Sequence, residues 1–253
     1  MNEEGLIVGC DSTLEVLLPW WWKHYSSHNS YPVAFVDFGM SKEALAWCEA
    51  RGICIPMQDF DDSFLSTKEE VSPQLREKWE TFYGKGFWPY RPVFFKKPFA
   101  LLKSPFVRTI WLDLDCQVRG PLDPLFTCLA FGIELAIARE PLHNQKTEQE
   151  LGLLLPGEIS YNSGVLVFQS KAKILEKWVD LAIKDNKQFL GDQNALSRAI
   201  YTQRPSFLEL PPIYNWSRTL GNNPNALIHH FHGAIGKSQI LKNIQEEMML
   251  LEK

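Results

Sequence analysis

Short apolar runs alternate with longer amphipathic stretches along the chain, beginning close to its first residues. The runs at residues 6–10, 32–38 and 52–56 are rich in aliphatic and aromatic side chains, as buried strands are. Residues 41–51 form a helical stretch that begins at a capping serine and ends before Gly52. Strands that alternate with helices in this way predict an α/β fold with a mostly parallel central sheet.

The end of the first predicted strand is a candidate ligand site. It opens into a loop at Asp11 and Ser12, and open α/β sheets bind ligands at the carboxyl ends of their strands. The winding is Rossmann-like, but the sequence contains no Gly-x-Gly-x-x-Gly phosphate loop. We therefore do not expect a dinucleotide cofactor.

Two longer segments show neither helical nor strand periodicity. Residues 58–91 combine acidic and aromatic side chains, and two interpretations stay open: a lid that faces the acceptor, or a packed surface loop. Residues 141–158 are predicted to form a second loop.

The last part of the chain, residues 239–251, has a helical period. One face carries the apolar side chains Ile240, Ile244, Met248 and Leu251. The opposite face is acidic rather than basic, so we expect this helix to pack on the body of the protein and not on a membrane.

A hydrophobic strand predicted over residues 110–118 carries Asp113 and Asp115 two positions apart. Side chains in a strand repeat every two residues, so both carboxylates are expected to point the same way. Two converging carboxylates are costly unless a cation lies between them, and oxygen ligands suit Mg²⁺ or Mn²⁺. An isolated pair of this kind also fits a strand end that merely faces water.

Composition limits the classes of partner. The chain has 253 residues, 45% of them hydrophobic, which is enough for one domain with a full core. The net charge of −4 and the absence of a long Lys/Arg run argue against a nucleic-acid partner. No basic leader and no apolar stretch of about 18 residues occurs, so neither a signal peptide nor a membrane span is expected.

Cysteine usage bears on the compartment. The five cysteines are an odd number without zinc-like spacing, which fits packing thiols in a reducing compartment. We expect a cytoplasmic protein, with delivery as a secreted effector left open.

Several segments, in this order, resemble motifs of the metal-dependent GT-A glycosyltransferases. The resemblance is to the retaining branch that includes glycogenin and the bacterial lipopolysaccharide galactosyltransferases. The segments are LLKSPF at 101–106, IWLDLD at 110–115, YNSGVLVF at 161–168, GDQ at 191–193, LPPIYN at 210–215 and IHHFHG at 228–233.

The resemblance implies a fold and an activity. It implies a single GT-A domain over residues 1–253, with a nucleotide-binding half at 1–115 and an acceptor and catalytic half at 116–253. The expected reaction is transfer of a hexose, with retention, from a UDP-sugar to a saccharide or protein acceptor. Mn²⁺ or Mg²⁺ is the expected cofactor.

The metal ligands implied by the resemblance are Asp113, Asp115 and His230, with Asp115 the stronger of the two carboxylates. The family has a histidine in a His-aromatic-x-Gly arrangement, which His230 matches. His229 and His232 flank it and are competing candidates.

Two lysines are expected to hold the donor. Lys97 precedes Asp113 by sixteen residues, as in the glycogenin pattern, and Lys96 is its neighbouring alternative. By resemblance, Lys237 binds the diphosphate, although it lies four residues after Gly233 where the family has three.

The sugar itself is expected to lie among four polar residues, Asn162, Ser163, Asp192 and Gln193. Asp192 is expected beside the reacting sugar, and its alternative role is that of a helix N-cap. Gln193 is expected near the β face, and glutamine is a poor nucleophile, which favours departure and attack on the same face of the sugar.

The nucleotide is expected to lie against the end of the first strand and the middle of the metal motif. Most of these contacts would come from the main chain, with Asp11 accepting a hydrogen bond from ribose or base. The residues are Gly9, Cys10, Asp11, Ser12 and Leu114.

Two other functions remain possible from the sequence. The fold could serve an effector that binds or hydrolyses a nucleotide sugar and modifies a host protein. A nucleotidyltransferase with a two-acid metal site is disfavoured because no Gly-rich phosphate loop is visible.

Overall fold

A computed structural model describes residues 3–57 and 60–251. Ten strands are assigned in this part of the chain. They are β1 Glu4–Cys10, β2 Val33–Asp37, β3 Ile53–Pro56, β4 Arg108–Leu112, β5 Cys116–Val118, β6 Leu135–Arg139, β7 Tyr161–Gln169, β8 Phe207–Glu209, β9 Trp216–Ser217 and β10 Ile228–His230.

Seven of these strands form one sheet in the order β3-β2-β1-β4-β7-β6-β8. β7 runs antiparallel to its neighbours β4 and β6, and the other described pairs are parallel. The predicted α/β fold with a mostly parallel sheet is therefore confirmed. A second sheet, β5-β10-β9, lies beyond the carboxyl end of β4.

Nine α-helices are assigned in the described residues. They are α1 Leu18–Ser26, α2 Lys42–Glu49, α3 Pro73–Tyr83, α4 Arg91–Leu102, α5 Asp123–Thr127, α6 Leu142–Glu150, α7 Lys173–Lys184, α8 Asp192–Gln203 and α9 Gly233–Leu251. The helix expected after the second strand is α2, and the Ser41 hydroxyl caps it by accepting from the Ala44 amide at 3.1 Å.

The central sheet lies between two layers of helices. Alternate side chains of β1 face opposite ways, so Leu6 and Val8 pack with α1, α2 and α5, whereas Ile7 packs with α4, α7 and α8. Both faces are apolar because both are covered, which is why the strands read as continuous apolar runs.

The expected loop over residues 58–91 is wrong for its second half. α3 begins with Pro73 after the capping Ser72, and a 3-10 helix follows at Lys85–Tyr90. Trp79 and Phe87 are buried in a small apolar cluster of their own. Residues 58 and 59 lie outside the described part of the chain.

The expected loop over residues 141–158 is also wrong in part, because it contains α6. The buried residues of this helix are Gln145 and Glu148 rather than apolar side chains. A helix that buries polar groups leaves no hydrophobic period in the sequence.

The strand expected over residues 110–118 is interrupted. β4 ends at Leu112 and is followed by a turn, in which the Cys116 amide donates to the Asp113 carbonyl at 3.0 Å. β5 begins after this turn and belongs to the second sheet. Asp113 and Asp115 therefore lie in a turn. The sequence predicted that both carboxylates point the same way because strand side chains alternate, and this explanation is wrong because the two residues do not lie in a strand.

The C-terminal helix begins at Gly233, six residues before the predicted start. Ile240 is fully buried and Ile244 packs against the same core, so the expected docking on the body is confirmed for these two. The side chains of Met248 and Leu251 lie outside the described set. Within residues 3–57 and 60–251, we find no helix long and apolar enough to cross a membrane.

Candidate active site

The candidate site lies at the carboxyl end of β4, in the middle of the central sheet. The turn after β4 is tied to β7 by a hydrogen bond from the Asp113 amide to the Gly164 carbonyl at 2.9 Å. β5 then runs antiparallel to β10, with His230 opposite Cys116. This register brings His230 beside Asp115, the residue that precedes Cys116.

Asp115 is a buried carboxylate with two close neighbours. Its Oδ2 accepts from Lys237 Nζ at 2.6 Å, and its Oδ1 lies 3.1 Å from His230 Nε2. Burial opposes ionisation, yet Lys237 and His230 outweigh it and hold the pKa of Asp115 well below its usual range. Within the described residues, Oδ1 has no partner with hydrogen-bond geometry.

Asp113 lies nearer the surface of the cleft. Its Oδ1 accepts from Trp111 Nε1 at 2.7 Å and lies 2.9 Å from Lys97 Nζ. Its Oδ2 lies 3.9 Å from His230 Nε2. One oxygen is therefore committed to the protein, and the other faces the same histidine as Asp115.

The three neighbouring histidines have different surroundings. His230 faces the two acids, whereas His229 Nδ1 lies 2.8 Å from Arg119 and His232 Nε2 lies 2.6 Å from the Ser217 hydroxyl. Burial lowers the pKa of His229 to about 4 and that of His232 to about 3. The geometry thus singles out His230, although its role as a metal ligand stays a prediction.

Gly164 makes room for the ring of His230. A Cβ on Gly164 would overlap the Cε1 atom of the imidazole. Any larger residue at this position of β7 would push the ring away from Asp113 and Asp115.

Lys97 connects the acidic turn to α8. It is buried on α4, and its Nζ lies 2.9 Å from Asp113, 3.5 Å from Asp192 and 3.2 Å from the Ser163 hydroxyl. Burial disfavours the charge of Lys97, but Asp113 and Asp192 outweigh it and raise its pKa. Lys96 points elsewhere, with its Nζ 5.9 Å from the centre of the Phe60 ring.

Asp192 is not the N-cap of α8, so this alternative is wrong. Gly191 occupies that position, and its amide donates to Asn194 Oδ1 at 3.3 Å. Asp192 is the first residue of the helix and accepts from the Ser163 hydroxyl at 2.9 Å. Burial raises the pKa of Asp192, and Lys97 opposes this effect.

Asn162 and Gln193 converge on a carboxylate that the sequence reasoning missed. Asn162 Nδ2 and Gln193 Nε2 donate to Glu140 Oε2 at 2.7 and 3.0 Å, and Gln193 Oε1 accepts from the Ser163 amide at 3.2 Å. Glu140 follows β6 as Asp113 follows β4, and this position after an apolar strand was the available signal.

Asn215 was also missed, although it ends the LPPIYN segment. It is buried, and its Oδ1 lies 3.0 Å from His230 Nδ1. The loop that carries it thus reaches the far side of the histidine.

The residues expected to contact the nucleotide lie beside β4, at the end of β1. Asp11 Oδ1 already accepts from the Thr13 and Leu14 amides, at 2.9 and 3.2 Å. Burial raises the pKa of Cys10 and keeps it a thiol. The side chain of Leu114 packs in the core, so only its main chain is available to a ligand. Uridine binding by this group, which includes Gly9 and Ser12, stays a prediction.

Tyr83, at the end of α3, borders the cleft. It is half exposed, and its ring centre lies 6.3 Å from that of Phe94, which contacts Gly191. Desolvation of its phenol raises the pKa of Tyr83, and Lys237 opposes this effect. Part of the segment proposed as a lid therefore borders this cleft as a helix.

The donor set fits a hard divalent cation. Ligand atoms of Asp115, His230 and Cys116 lie within 4.8 Å of one another. Burial raises the pKa of Cys116, and this thiol lies 3.7 Å from the Gly164 carbonyl, so it does not offer a thiolate. Asp113 is not part of this group, and its Oδ2 lies 3.9 Å from His230 Nε2. The buried Oδ1 of Asp115 is an unsatisfied acceptor that a cation between Asp115 and His230 would satisfy.

Neither a family model nor a curated protein matches the chain. Solved structures do match. The galactosyltransferase LgtC, solved with donor and acceptor sugar analogues, is 16% identical over 91% of this chain and 87% of its own, with a TM-score of 0.63. Mouse xyloside xylosyltransferase 1 is 18% identical over 91% of this chain and 97% of its own, with a TM-score of 0.54.

A third match is the glycosyltransferase GlyE of Streptococcus pneumoniae TIGR4. It is 19% identical over 92% of this chain, with a TM-score of 0.61, and this chain spans 55% of its length. The fold that the sequence motifs predict is thereby confirmed.

We predict that Lys97 is essential to the stability of this site. Lys97→Met would leave Asp113 and Asp192 without their shared cation, and we expect the free energy of unfolding to fall by about 3 kcal/mol. Urea unfolding at neutral pH measures this change. Lys96→Met is the matched control and should cost little, so equal losses in the two variants would contradict the assignment.

Proposed function

Because the chain has the fold of the GT-A glycosyltransferases, we propose that it transfers a hexose, with retention, from a UDP-sugar to a saccharide or protein acceptor in a metal-dependent reaction. One observation carries the proposal: two acids, a histidine and two lysines converge at the carboxyl end of β4. This combination suits a cation and a diphosphate, because each charge has an opposite partner within reach.

Asp113, Asp115 and His230 would hold Mn²⁺ or Mg²⁺. When bound, the cation would supply Lewis-acid stabilisation of the leaving diphosphate. Asp115 would bind through the Oδ1 that the protein leaves unsatisfied. Asp113 would bind through Oδ2, because Trp111 and Lys97 already engage Oδ1.

Lys237 would hold the diphosphate. In this structure its ammonium neutralises Asp115 at 2.6 Å. The cation bound with the donor would neutralise Asp115 in place of Lys237, and Lys237 could then turn toward the phosphate oxygens. The extra residue after Gly233 lies within α9, and Lys237, the fifth residue of this helix, lies in its second turn.

The sugar would lie against Asn162, Ser163, Asp192 and Gln193. Lys97 and Ser163 hold the Asp192 carboxylate at the N-terminus of α8, where it can accept a hydrogen bond from a hydroxyl of the sugar or of the acceptor. The amide of Gln193 is held by Glu140 and the Ser163 main chain, and an amide is a poor nucleophile.

Transfer on one face of the sugar is the mechanism that we propose, because the residue expected at the β face is Gln193, whose amide is a poor nucleophile. The bond from the anomeric carbon to the phosphate oxygen breaks while the acceptor oxygen bonds to the same carbon from the same side. The acceptor proton passes to the departing phosphate oxygen. The chain contributes by orientation and by holding charge, not by a covalent intermediate.

The division of labour would follow the two halves of the chain. Residues 1–115 would bind the nucleotide, with Gly9, Cys10, Asp11, Ser12 and Leu114 against the uridine, and residues 116–253 would complete the sugar and acceptor sites. The free, mostly buried thiols support a reducing compartment, and we propose the cytoplasm.

Product analysis in a donor screen tests the function directly. Incubation with UDP-glucose or UDP-galactose, Mn²⁺ and a panel of saccharide and protein acceptors should yield UDP and an α-glycoside. Free sugar without glycoside in every pairing would favour the hydrolysing effector, and a sugar nucleotide formed from sugar phosphate would favour the nucleotidyltransferase.

We predict that UDP binding depends on the cation. Wild type should bind UDP at least about tenfold more tightly with Mn²⁺ than with a chelator. Without the cation, Lys237 stays paired with Asp115, and the diphosphate would have to approach two carboxylates with no divalent ion between them. Asp115→Asn and His230→Ala should lose this difference in calorimetry. His232→Ala should keep it, and the reverse result for the two histidines would overturn the choice of His230.

We predict that Asp192 is required for chemistry rather than for the helix. Asp192→Asn keeps the shape and its bond to Ser163, so it should melt near wild type and bind UDP normally. Transfer should slow at least about a hundredfold, equivalent to roughly 2.7 kcal/mol of barrier. Asn194→Ala is the control, because loss of this cap should cost stability, about 1 kcal/mol, and leave kcat unchanged. Normal turnover in Asp192→Asn would remove Asp192 from the mechanism.

A further inference from the structure

A continuous chain of hydrogen bonds runs from Glu140 to His230 behind the candidate metal site. Asn162 Nδ2 donates to Glu140 Oε2 at 2.7 Å, and Asn215 Nδ2 donates to Asn162 Oδ1 at 2.9 Å. Asn215 Oδ1 then lies 3.0 Å from His230 Nδ1. All four side chains are buried, so water does not compete for these bonds.

Only one assignment of donors and acceptors is consistent along this chain of hydrogen bonds. Three amide groups, those of Asn144, Asn162 and Gln193, point their nitrogens at the Glu140 carboxylate. A carboxylate only accepts, so Asn162 must present Nδ2 to it and keep Oδ1 on the other side. The Gly164 amide supports this orientation independently, because it donates to the same Oδ1 at 3.0 Å.

The orientation of the Asn162 amide also determines the orientation of the Asn215 amide, which contacts the imidazole. Asn162 Oδ1 accepts, so Asn215 must present Nδ2 to it and turn its own Oδ1 toward His230. An amide oxygen cannot donate, and the bond therefore requires a proton on His230 Nδ1.

The other ring nitrogen faces the acids without forming a hydrogen bond. His230 Nε2 lies 3.1 Å from Asp115 Oδ1, yet within the described residues that oxygen has no partner with hydrogen-bond geometry. Left to itself, a carboxylate at this distance would favour a proton on Nε2. Asn215 thus favours a proton on Nδ1, whereas Asp115 favours a proton on Nε2.

We propose that Glu140, acting through Asn162 and Asn215, is a positioning residue that keeps the ring proton of His230 on Nδ1 and leaves Nε2 free for a divalent cation. The inference rests on the proposed function for the identity of the ligand, but the proton placement is a property of the chain alone. Gly164 fixes where the ring lies, and the three polar residues fix which nitrogen binds.

The first test reads the tautomer in the metal-free protein. With ¹⁵N-labelled histidine, long-range ¹H–¹⁵N NMR at alkaline pH distinguishes Nδ1–H from Nε2–H in a neutral ring, and His230→Gln assigns the signal. We expect Nδ1–H for His230 in wild type. An Nε2–H tautomer there would overturn the proposal before any variant of the relay is made.

Variants of the relay test its members. Asn215→Leu removes the acceptor and should move the proton of His230 toward Nε2. Glu140→Gln removes one of the two groups that orient Asn162, the other being the Gly164 amide, and should move the proton in part of the molecules. Asn215→Asp retains an acceptor and should keep Nδ1–H. Glu148→Gln is the matched control: Glu148 is also buried and bonds to Asn194 rather than to Asn162, so the tautomer should not change. An unchanged tautomer in both Asn215→Leu and Glu140→Gln would overturn the relay.

The second test measures Mn²⁺ binding without nucleotide, by electron paramagnetic resonance. Loss of a residue that orients a metal-binding histidine typically costs 10 to 100-fold in affinity, and we expect a loss of about that size in Glu140→Gln and Asn215→Leu. Wild-type affinity in both variants would overturn the proposal. Absence of Mn²⁺ binding in wild type, together with an Nδ1–H tautomer, would instead contradict the proposed metal dependence and support the relay.

Discussion

The balance of charge around the turn after β4 is the constraint on which the rest of the site depends. Asp113 and Asp115 both lie in the short turn, 3.9 and 3.1 Å from His230 Nε2, and each has its own lysine, Lys97 from α4 and Lys237 from α9. Without these cations the acids would repel each other in a partly buried cleft. Two helices that are far apart in the sequence are therefore fastened to the same turn.

The break between β4 and β5 creates this arrangement. If the strand had continued, β5 would have stayed in the central sheet and could not have paired with β10. Because it leaves, the antiparallel register places His230 opposite Cys116 and beside Asp115. The amide of Phe231 donates to the Asp115 carbonyl at 2.8 Å and fixes this neighbourhood further. One change of direction in the chain thus gathers the candidate ligands.

Much of the fold could be predicted from the sequence because both faces of the sheet are covered by apolar helices. β1 and β2 are buried and read as apolar runs, whereas β3 is an apolar run at the partly exposed edge of the sheet, and α2 has a capping serine at its start. α6 could not be predicted from periodicity, because its buried side is polar. α3 had a usable signal in Ser72 and Pro73, but the surrounding acids and aromatics concealed the helical period.

For the site, the sequence motifs led to His230, Lys97 and Asp192, which the structure places around the same turn. Glu140 and Asn215 were missed although Glu140 directly follows an apolar strand and Asn215 ends the LPPIYN segment, because neither position by itself indicates what the side chain contacts. Their importance comes from tertiary contacts with Asn162 and His230. Residues that orient other residues are identified from hydrogen bonds in the three-dimensional structure, and the spacing of residues in a sequence does not show these bonds.

In the proposed function, the turn after β4 holds a divalent cation against a diphosphate. Anomalous diffraction at the manganese edge, from crystals grown with Mn²⁺ and UDP, tests this most directly. We expect one strong peak between Asp113, Asp115 and His230, with the diphosphate on its open side and Lys237 turned from Asp115 toward a phosphate oxygen. A manganese peak elsewhere, or UDP bound with the ion pair between Lys237 and Asp115 intact, would contradict it.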